Sequence, residues 1–455
     1  MFVKASAATL TLKGPRMAID GGDSSSYTLK GPDLLFKKEG VKHGEMRINP
    51  TFTPAADGLS GTIVYKGGPD NAKVYYKISP ADKTVTFTYG ELLATPPATP
   101  LSISFEINFN AGQFAGGLYV AGSGSPTPIP IVAMDKGAFL HGNSFSLAGH
   151  DGVGLTLNPS GGNMTFTDDR KYGGDSITWR LNYPLKPAEK SITLKIDDFK
   201  TTPPPVVLKP DGPPADGKWE VIPELTDEFQ GSSLDTNKWT TTYGPEWLGR
   251  PPSWFNPGSV QVKDGKLQLI AKLEEPPANL KSKGFHTFAV GVAVAKTKVL
   301  YGYFEAKAKP MDVGICNAFW FTNVCLTDDK SNLSEIDVFE ICGGRGKNER
   351  TLFNTMHHWK SPGDDKHWAK FTHWRAPAPL TADYHVYGID WGKDEIKCYY
   401  DGYLYAKYPN TAWHTPLNML FDNEVNPQWF GTPKITDGFP ATFNIEYVRA
   451  WRRVD

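Results

Sequence analysis

Apolar and polar residues alternate with a period of two along much of this chain. Segments 102–109, 117–120, 154–157 and 177–183 read this way, and Gly-Gly and Asn-Pro-Ser-Gly-Gly stretches punctuate them. A period of two sends successive side chains to opposite faces of an extended strand. No stretch of the first 200 residues sustains helical periodicity, so residues 1–200 are expected to form a β-sandwich of their own, an accessory domain. Thr201-Thr202-Pro203-Pro204-Pro205 and Lys209-Pro210-Asp211-Gly212-Pro213-Pro214 then make a stiff proline-rich segment, so 201–218 reads as a linker.

The pattern resumes at 219. Residues 260–269 form a hairpin around Asp264-Gly265, residues 289–295 and 301–308 read as strands, and residues 384–390 and 395–400 lead into a second Asp-Gly turn at Asp401-Gly402. A last strand spans 441–449. Strand follows strand with no helix, which predicts two packed antiparallel sheets over 219–455. The fold class is all-β, a jelly-roll sandwich preceded by a separate sandwich.

Composition narrows the function. The net charge of −1 over 455 residues gives no electrostatic case for nucleic acid or an anionic membrane, and no apolar run is long enough for a membrane span. Twelve of the 13 Trp lie from Trp219 onward, Trp179 being the exception. The N-terminal part therefore has little Trp with which to stack on sugars, and it reads equally as a sugar-binding or a structural module. Cys316, Cys325, Cys342 and Cys398 show no paired zinc spacing and are expected as buried thiols, a Cys316–Cys325 bridge being the alternative. The opening Met1-Phe2-Val3-Lys4 lacks a convincing signal peptide, so the expectation is either a signal already trimmed off or a protein that stays inside. A monomer is expected.

The candidate chemistry sits in Ser334-Glu335-Ile336-Asp337-Val338-Phe339-Glu340-Ile341. On a strand Glu335 and Asp337 share a face. Glu340 is an odd offset away and would point into the apolar side, where an unpaired carboxylate costs roughly several kcal/mol. One extra residue, a β-bulge at Val338 or Phe339, returns it to the face of the other two. Such a row suits retaining glycoside hydrolysis, which needs a nucleophile and an acid/base about 5–5.5 Å apart. The third carboxylate raises the acid's pKa and orients the nucleophile. An acidic solvated strand face is the plain alternative. A calcium loop starting at Asp328 or Asp329 fails because the turn glycine is missing.

Residues 219–455 resemble glycoside hydrolase family 16. The resemblance rests on an ordered set: Asp227-Glu228-Phe229, Leu234-Asp235, Trp239, Asp264-Gly265-Lys266-Leu267, Tyr301-Gly302-Tyr303-Phe304-Glu305-Ala306, Ala318-Phe319-Trp320-Phe321, the Glu335–Glu340 signature, Tyr387-Gly388-Ile389-Asp390-Trp391, Tyr400-Asp401-Gly402 and Tyr447-Val448-Arg449. It implies a jelly roll with a polysaccharide cleft, Glu335 as nucleophile, Asp337 as assisting carboxylate and Glu340 as acid/base. The spacing is similar to that of agarases, carrageenases, porphyranases and laminarinases. The xyloglucan and lichenan branch has one residue fewer.

By the same resemblance Trp320 is the active-site tryptophan, His357 lines the cleft from the following strand, and Glu424 and Trp429 belong to a cleft segment of galactan-cleaving members. Trp247, Arg250 and Trp254, in a proline-rich loop, are candidates for outer subsites. Arg250, Arg345, Lys347 and Arg350 could meet sulfate. The resemblance implies a secreted or extracellular endo-acting hydrolase of a red-algal β-1,4 galactan. Agarose is favoured, with κ-carrageenan, furcellaran, porphyran or laminarin as alternatives; a transglycosylase and a non-catalytic binding protein are the other readings. No cofactor is required. A structural calcium at Glu446, near Gly265, is possible, although the family's usual residue there is Asp. A metal site built from His357, His358, His367 and His373 is a rival without tight ligand spacing.

Overall fold

A computed structural model describes residues 9–13, 16–20, 26–37, 45–48, 50–65, 73–89, 102–134, 138–140, 143–150, 152–172, 176–185, 190–201, 212–244, 247–324, 326, 330–344 and 348–455. The chain divides into two compact units, 1–204 and 205–455. The expected linker lies mostly at 202–211, outside the described residues. Among the described residues, no helix is long and apolar enough to cross a membrane.

The first unit has two sheets. One runs from Thr9–Lys13 through Ser26–Lys37, Ser102–Asn110 and Ser176–Pro184 to Ala138–Leu140; the other runs from Thr127–Pro128 through Val153–Pro159 and Ser191–Lys200 to Thr51–Pro54. Lys73–Ser79 shows why: Val74, Tyr76 and Ile78 are buried while Lys73, Tyr75 and Lys77 face out. Trp179 is wholly buried in this core with Phe105, Ile107 and Phe166, so its ring packs the sandwich and is not open to a ligand.

The second unit also has two sheets. The outer sheet runs Ser253–Phe255, Phe288–Val290, Lys266–Leu273, Ala441–Arg453, Gly302–Lys309, His385–Trp391, Glu395–Tyr400 and Tyr403–Pro409. The strands of the other sheet are labelled in chain order: β1 (Trp239–Thr240), β2 (Val292–Val299), β3 (Cys316–Thr322), β4 (Leu333–Cys342), β5 (Thr351–Lys360), β6 (Trp368–Arg375) and β7 (Leu417–Glu424). Their spatial order is β1-β2-β7-β3-β4-β5-β6. The two sheets enclose one apolar core, with Phe339 against Tyr387 at 4.3 Å and Phe304 against Phe321 at 4.9 Å.

Both Asp-Gly turns take left-handed backbone at each residue: φ is 53° and 68° at Asp264 and Gly265, and 46° and 76° at Asp401 and Gly402. That is the two-residue hairpin turn whose twist matches its strands. Two expectations change. The run 289–295 is not one strand; it turns at Gly291, leaving the outer sheet as Phe288–Val290 and entering the other as β2. A Cβ at Gly291 would lie 2.8 Å from Ser259 O, so only glycine fits this corner. The second unit also holds one turn of α-helix, Ala278–Lys281, and 3-10 turns at Pro223–Leu225 and Pro257–Ser259.

Phe319 is fully buried and stacks on Phe421 at 4.7 Å and 11°. Phe319→Ala is expected to remove about 3–5 kcal/mol of stability, measurable as a lower denaturant midpoint followed by tryptophan fluorescence.

Candidate active site

The bulge falls at Val338. On the β3 side Phe319 pairs with Phe339 and Trp320 with Asp337, which leaves Val338 without a partner. On the β5 side Asp337 pairs with Thr355 and Glu340 with Phe353, so two residues of β4 face one of β5. Val338 and Phe339 both turn into the core. Glu335, Asp337 and Glu340 share the opposite face, as the odd offset requires.

The bulge also takes backbone carbonyls off the ladder, and a buried unpaired carbonyl is costly. Asn354, fully buried on β5, donates from Nδ2 to Asp337 O at 2.7 Å and to Val338 O at 3.3 Å. Sequence reasoning missed this residue; its one signal is a polar position in the core-facing alternation Leu352, Asn354, Met356.

Cross-strand register lays out the site face in rows. One row is Val292, Asp422, Ala318, Glu340, Phe353 and His373; the next is Val294, Leu420, Trp320, Asp337, Thr355 and Phe371; a third contains Thr322, Glu335 and His357. Trp359 donates its indole N–H to Glu335 Oε2 at 3.1 Å. His357 Nε2 lies 3.5 Å from Asp337 Oδ2 and 3.9 Å from Glu335 Oε1, and its Nδ1 is 2.9 Å from His367 Nε2. His367 stacks on Trp359 at 4.1 Å, which braces that indole. Trp359 could have been found from its i, i+2 relation to His357; His367 comes from beyond a turn and carried no signal.

On the other flank Trp320 donates to Asp422 Oδ1 at 3.0 Å and stacks on Tyr243 at 5.7 Å and 17°. Arg250 Nε bonds Glu424 Oε1 at 2.8 Å, and its guanidinium lies 5.5 Å from the Trp247 ring centre. Asp422, two residues before Glu424 and on its face, was not anticipated. Trp429 is 39% exposed and packs edge-on to Phe353 at 4.7 Å, one position across from Glu340.

The expectation for Trp254 changes. It is only 6% exposed and packs with Leu280, Phe285 and Ala289, so it holds its loop in place; Trp247 is the loop aromatic beside Arg250. Arg350 donates to Pro377 O at 3.4 Å, while Arg345, Lys347 and Cys325 lie outside the described residues. Cys316, Cys342 and Cys398 are free thiols.

The four histidines do not converge: His358 turns from His357 to Ser361 Oγ at 2.9 Å and Lys366 O at 3.2 Å. Glu335, Asp337 and His357 do bring donor atoms within 4.8 Å of one another, a set able to hold a cation. Glu446 is paired with Lys307 Nζ at 2.8 Å, so its carboxylate already has a counter-charge, which does not favour a calcium there.

Burial dominates the electrostatics. It raises Glu335 to about 7, offset in part by the Trp359 hydrogen bond. Burial, then Glu335 and Glu424, raises Glu340 to about 8. Asp337 and Asp422 are driven well above the usual carboxylate range by burial and by their acidic neighbours. Burial and then His367 depress His357 to about 4, so it is neutral at pH 7. A neutral imidazole tolerates the low-dielectric site, and Arg250 is the cation acting on the cluster.

These raised values carry a stability consequence. A carboxyl whose folded pKa exceeds its unfolded one favours the fold fully below the unfolded value, and that contribution is lost as pH rises through the folded value. The site therefore weighs most against folding in alkali. Asp337→Asn is expected to raise the melting temperature more at pH 9 than at pH 5, by on the order of 5 °C, measured by calorimetry at the two pH values.

Comparisons with known proteins place the chain in a family. Residues 219–453 match the family model described as "Beta-porphyranase A-D, GH16 domain". Beta-porphyranase E of Zobellia galactanivorans is 34% identical over 251 residues, 51% of this chain and 88% of that protein. Beta-porphyranase D of the same organism is 30% identical over 54% of this chain and 64% of its own length. The kappa-carrageenase of Pseudoalteromonas carrageenovora is 28% identical over 52% of this chain and 65% of its own length. A bulged row of three carboxylates on an all-β sandwich, matched over its whole span by that model, establishes that the chain belongs to glycoside hydrolase family 16, a family of endo-acting glycoside hydrolases.

Proposed function

We propose that this chain is an extracellular, endo-acting, retaining hydrolase of a red-algal galactan. The observation that carries the reading is the Val338 bulge, which sets Glu340 on the face of Glu335 and Asp337. Glu335, its Oε2 held by the Trp359 N–H, attacks the anomeric carbon, and the C–O bond to the leaving sugar breaks. Glu340 gives its proton to the departing oxygen. It then takes a proton from water, whose oxygen displaces Glu335 and restores the enzyme. Asp337, between the two, and neutral His357 orient the nucleophile. Trp320 and Trp429 offer ring faces to sugar C–H groups on either flank.

Sequence alone favoured agarose. The porphyranase family match shifts the preference to a sulfated galactan. Arg250 supports this choice, because it stands beside the carboxylates with its side chain 41% exposed and only its Nε used by Glu424. A guanidinium fork is matched to a sulfate ester.

The two raised values predict a bell-shaped profile. kcat/KM should climb as Glu335 ionises near 7 and fall as Glu340 loses its proton near 8. Measured reducing ends released from porphyran, agarose, κ-carrageenan and laminarin should be greatest for porphyran; no product from any of them would defeat the proposal. Glu335→Gln should lower kcat by roughly 10⁴-fold or more. Arg250→Ala should raise KM more on porphyran than on agarose, and it should shift the pH profile upward on either polymer because Glu335 and Glu340 lose a nearby cation.

A further inference from the structure

The outer sheet carries a bulge of its own opposite the first. Between Glu395–Tyr400 and Tyr403–Pro409, Cys398 pairs with Ala406 and Tyr399 with Leu404, so Tyr405 is the extra residue. Tyr405 and Tyr408, an odd three apart, consequently both turn inward and are buried. Their hydroxyls meet the underside of β4. Tyr405 donates to Val338 O at 3.2 Å, and Tyr408 lies 2.7 Å from Asn354 Oδ1. An amide oxygen only accepts, so the Tyr408 hydroxyl donates to it, and the Thr372 hydroxyl, also at 2.7 Å, donates to Tyr408. Asn354 passes the connection on to Asp337 O and Val338 O. The chain Thr372–Tyr408–Asn354 and the Tyr405 contact thus converge on the carbonyls that the catalytic-strand bulge releases.

We propose that Tyr405, Tyr408 and Asn354 are positioning residues, a polar pin from the outer sheet that holds the Val338 bulge and so aims Glu340 at the leaving oxygen. This rests on the reading of Glu340 as acid/base. None of the three reaches the substrate face. A buried amide and two buried hydroxyls are expensive in an apolar core unless all are satisfied. A regular β4 would not need them, because its carbonyls would stay on the ladder. Relaxing the bulge would turn Glu340 first, since it follows the extra residue, and leave Glu335, which precedes it, in register with Thr322 and His357.

Tyr408→Phe removes one hydroxyl and keeps the ring, and Asn354→Ala removes the central amide. The test compares porphyran with an activated aryl glycoside of a galactan oligosaccharide, whose leaving group departs without a proton. Tyr408→Phe should lower kcat/KM on the polymer roughly 10- to 100-fold, with KM little changed, and stay within about threefold of the parent on the aryl substrate. The Tyr408→Phe/Asn354→Ala double variant should cost no more than the worse single one. Equal losses on both substrates, or none on the polymer, would overturn the pin. A substrate-free reading uses ¹³C-carboxyl NMR of Glu340, which faces Glu335 and Asp337 on its own strand, Cys316 on β3, Asp422 and Glu424 on β7 and Arg250 from the loop. Its titration midpoint should move in Tyr408→Phe. An unmoved midpoint overturns the pin even if the parent cleaves no galactan, which by itself defeats only the proposed substrate.

Discussion

A single surplus residue in β4 governs this molecule. Inserting Val338 breaks the two-residue period of the strand, so Val338 and Phe339 both face the core and Glu340 joins Glu335 and Asp337. A bulge of this kind exposes backbone carbonyls to an apolar interior, where water cannot reach them. The core therefore has to be polar at one spot, and Asn354 with the hydroxyls of Tyr405 and Tyr408 makes it so. The acidic face and the polar spot beneath it have the same cause.

The face itself works against folding. Glu335, Asp337, Glu340, Asp422 and Glu424 crowd together in buried positions, with Arg250 bonded to Glu424 as the main counter-charge. Apolar residues in the same places would pack without that penalty. What burial and crowding together supply is a pair of carboxyls, Glu335 and Glu340, held above the usual carboxylate range. The surrounding core, where Phe319, Phe421, Phe339 and Tyr387 interlock, offsets the strain.

Around the carboxylates the site divides into two aromatic flanks. Tyr243, Trp320 and Trp247 lie on the β2 and β7 side with Arg250. Trp359 with His357 and His367, and Phe353 with His373 and Trp429, lie on the β5 and β6 side. The exposed Arg250 guanidinium beside Glu424 sets a positive charge on the first of these flanks.

Local sequence was enough for much of this. Period-two alternation and Asp-Gly turns yielded strands at 260–269, 301–308 and 395–400, within a few residues of those found, because both signals depend only on residues next to one another. The odd spacing of Glu340 from Glu335 called for a bulge, since the cost of an inward carboxylate depends only on the strand period. Tertiary structure decided the rest. It sent residues 289–295 to two sheets at Gly291, because a close approach by Ser259 O is a contact between distant parts of the chain. It put Trp254 under Leu280 and Phe285, and it brought Asp422, His367, Asn354, Tyr405 and Tyr408 to the site or beneath it. Apart from the polar break at Asn354 in its core-facing alternation, no pattern along a strand announces these residues, because each matters through a partner many residues away.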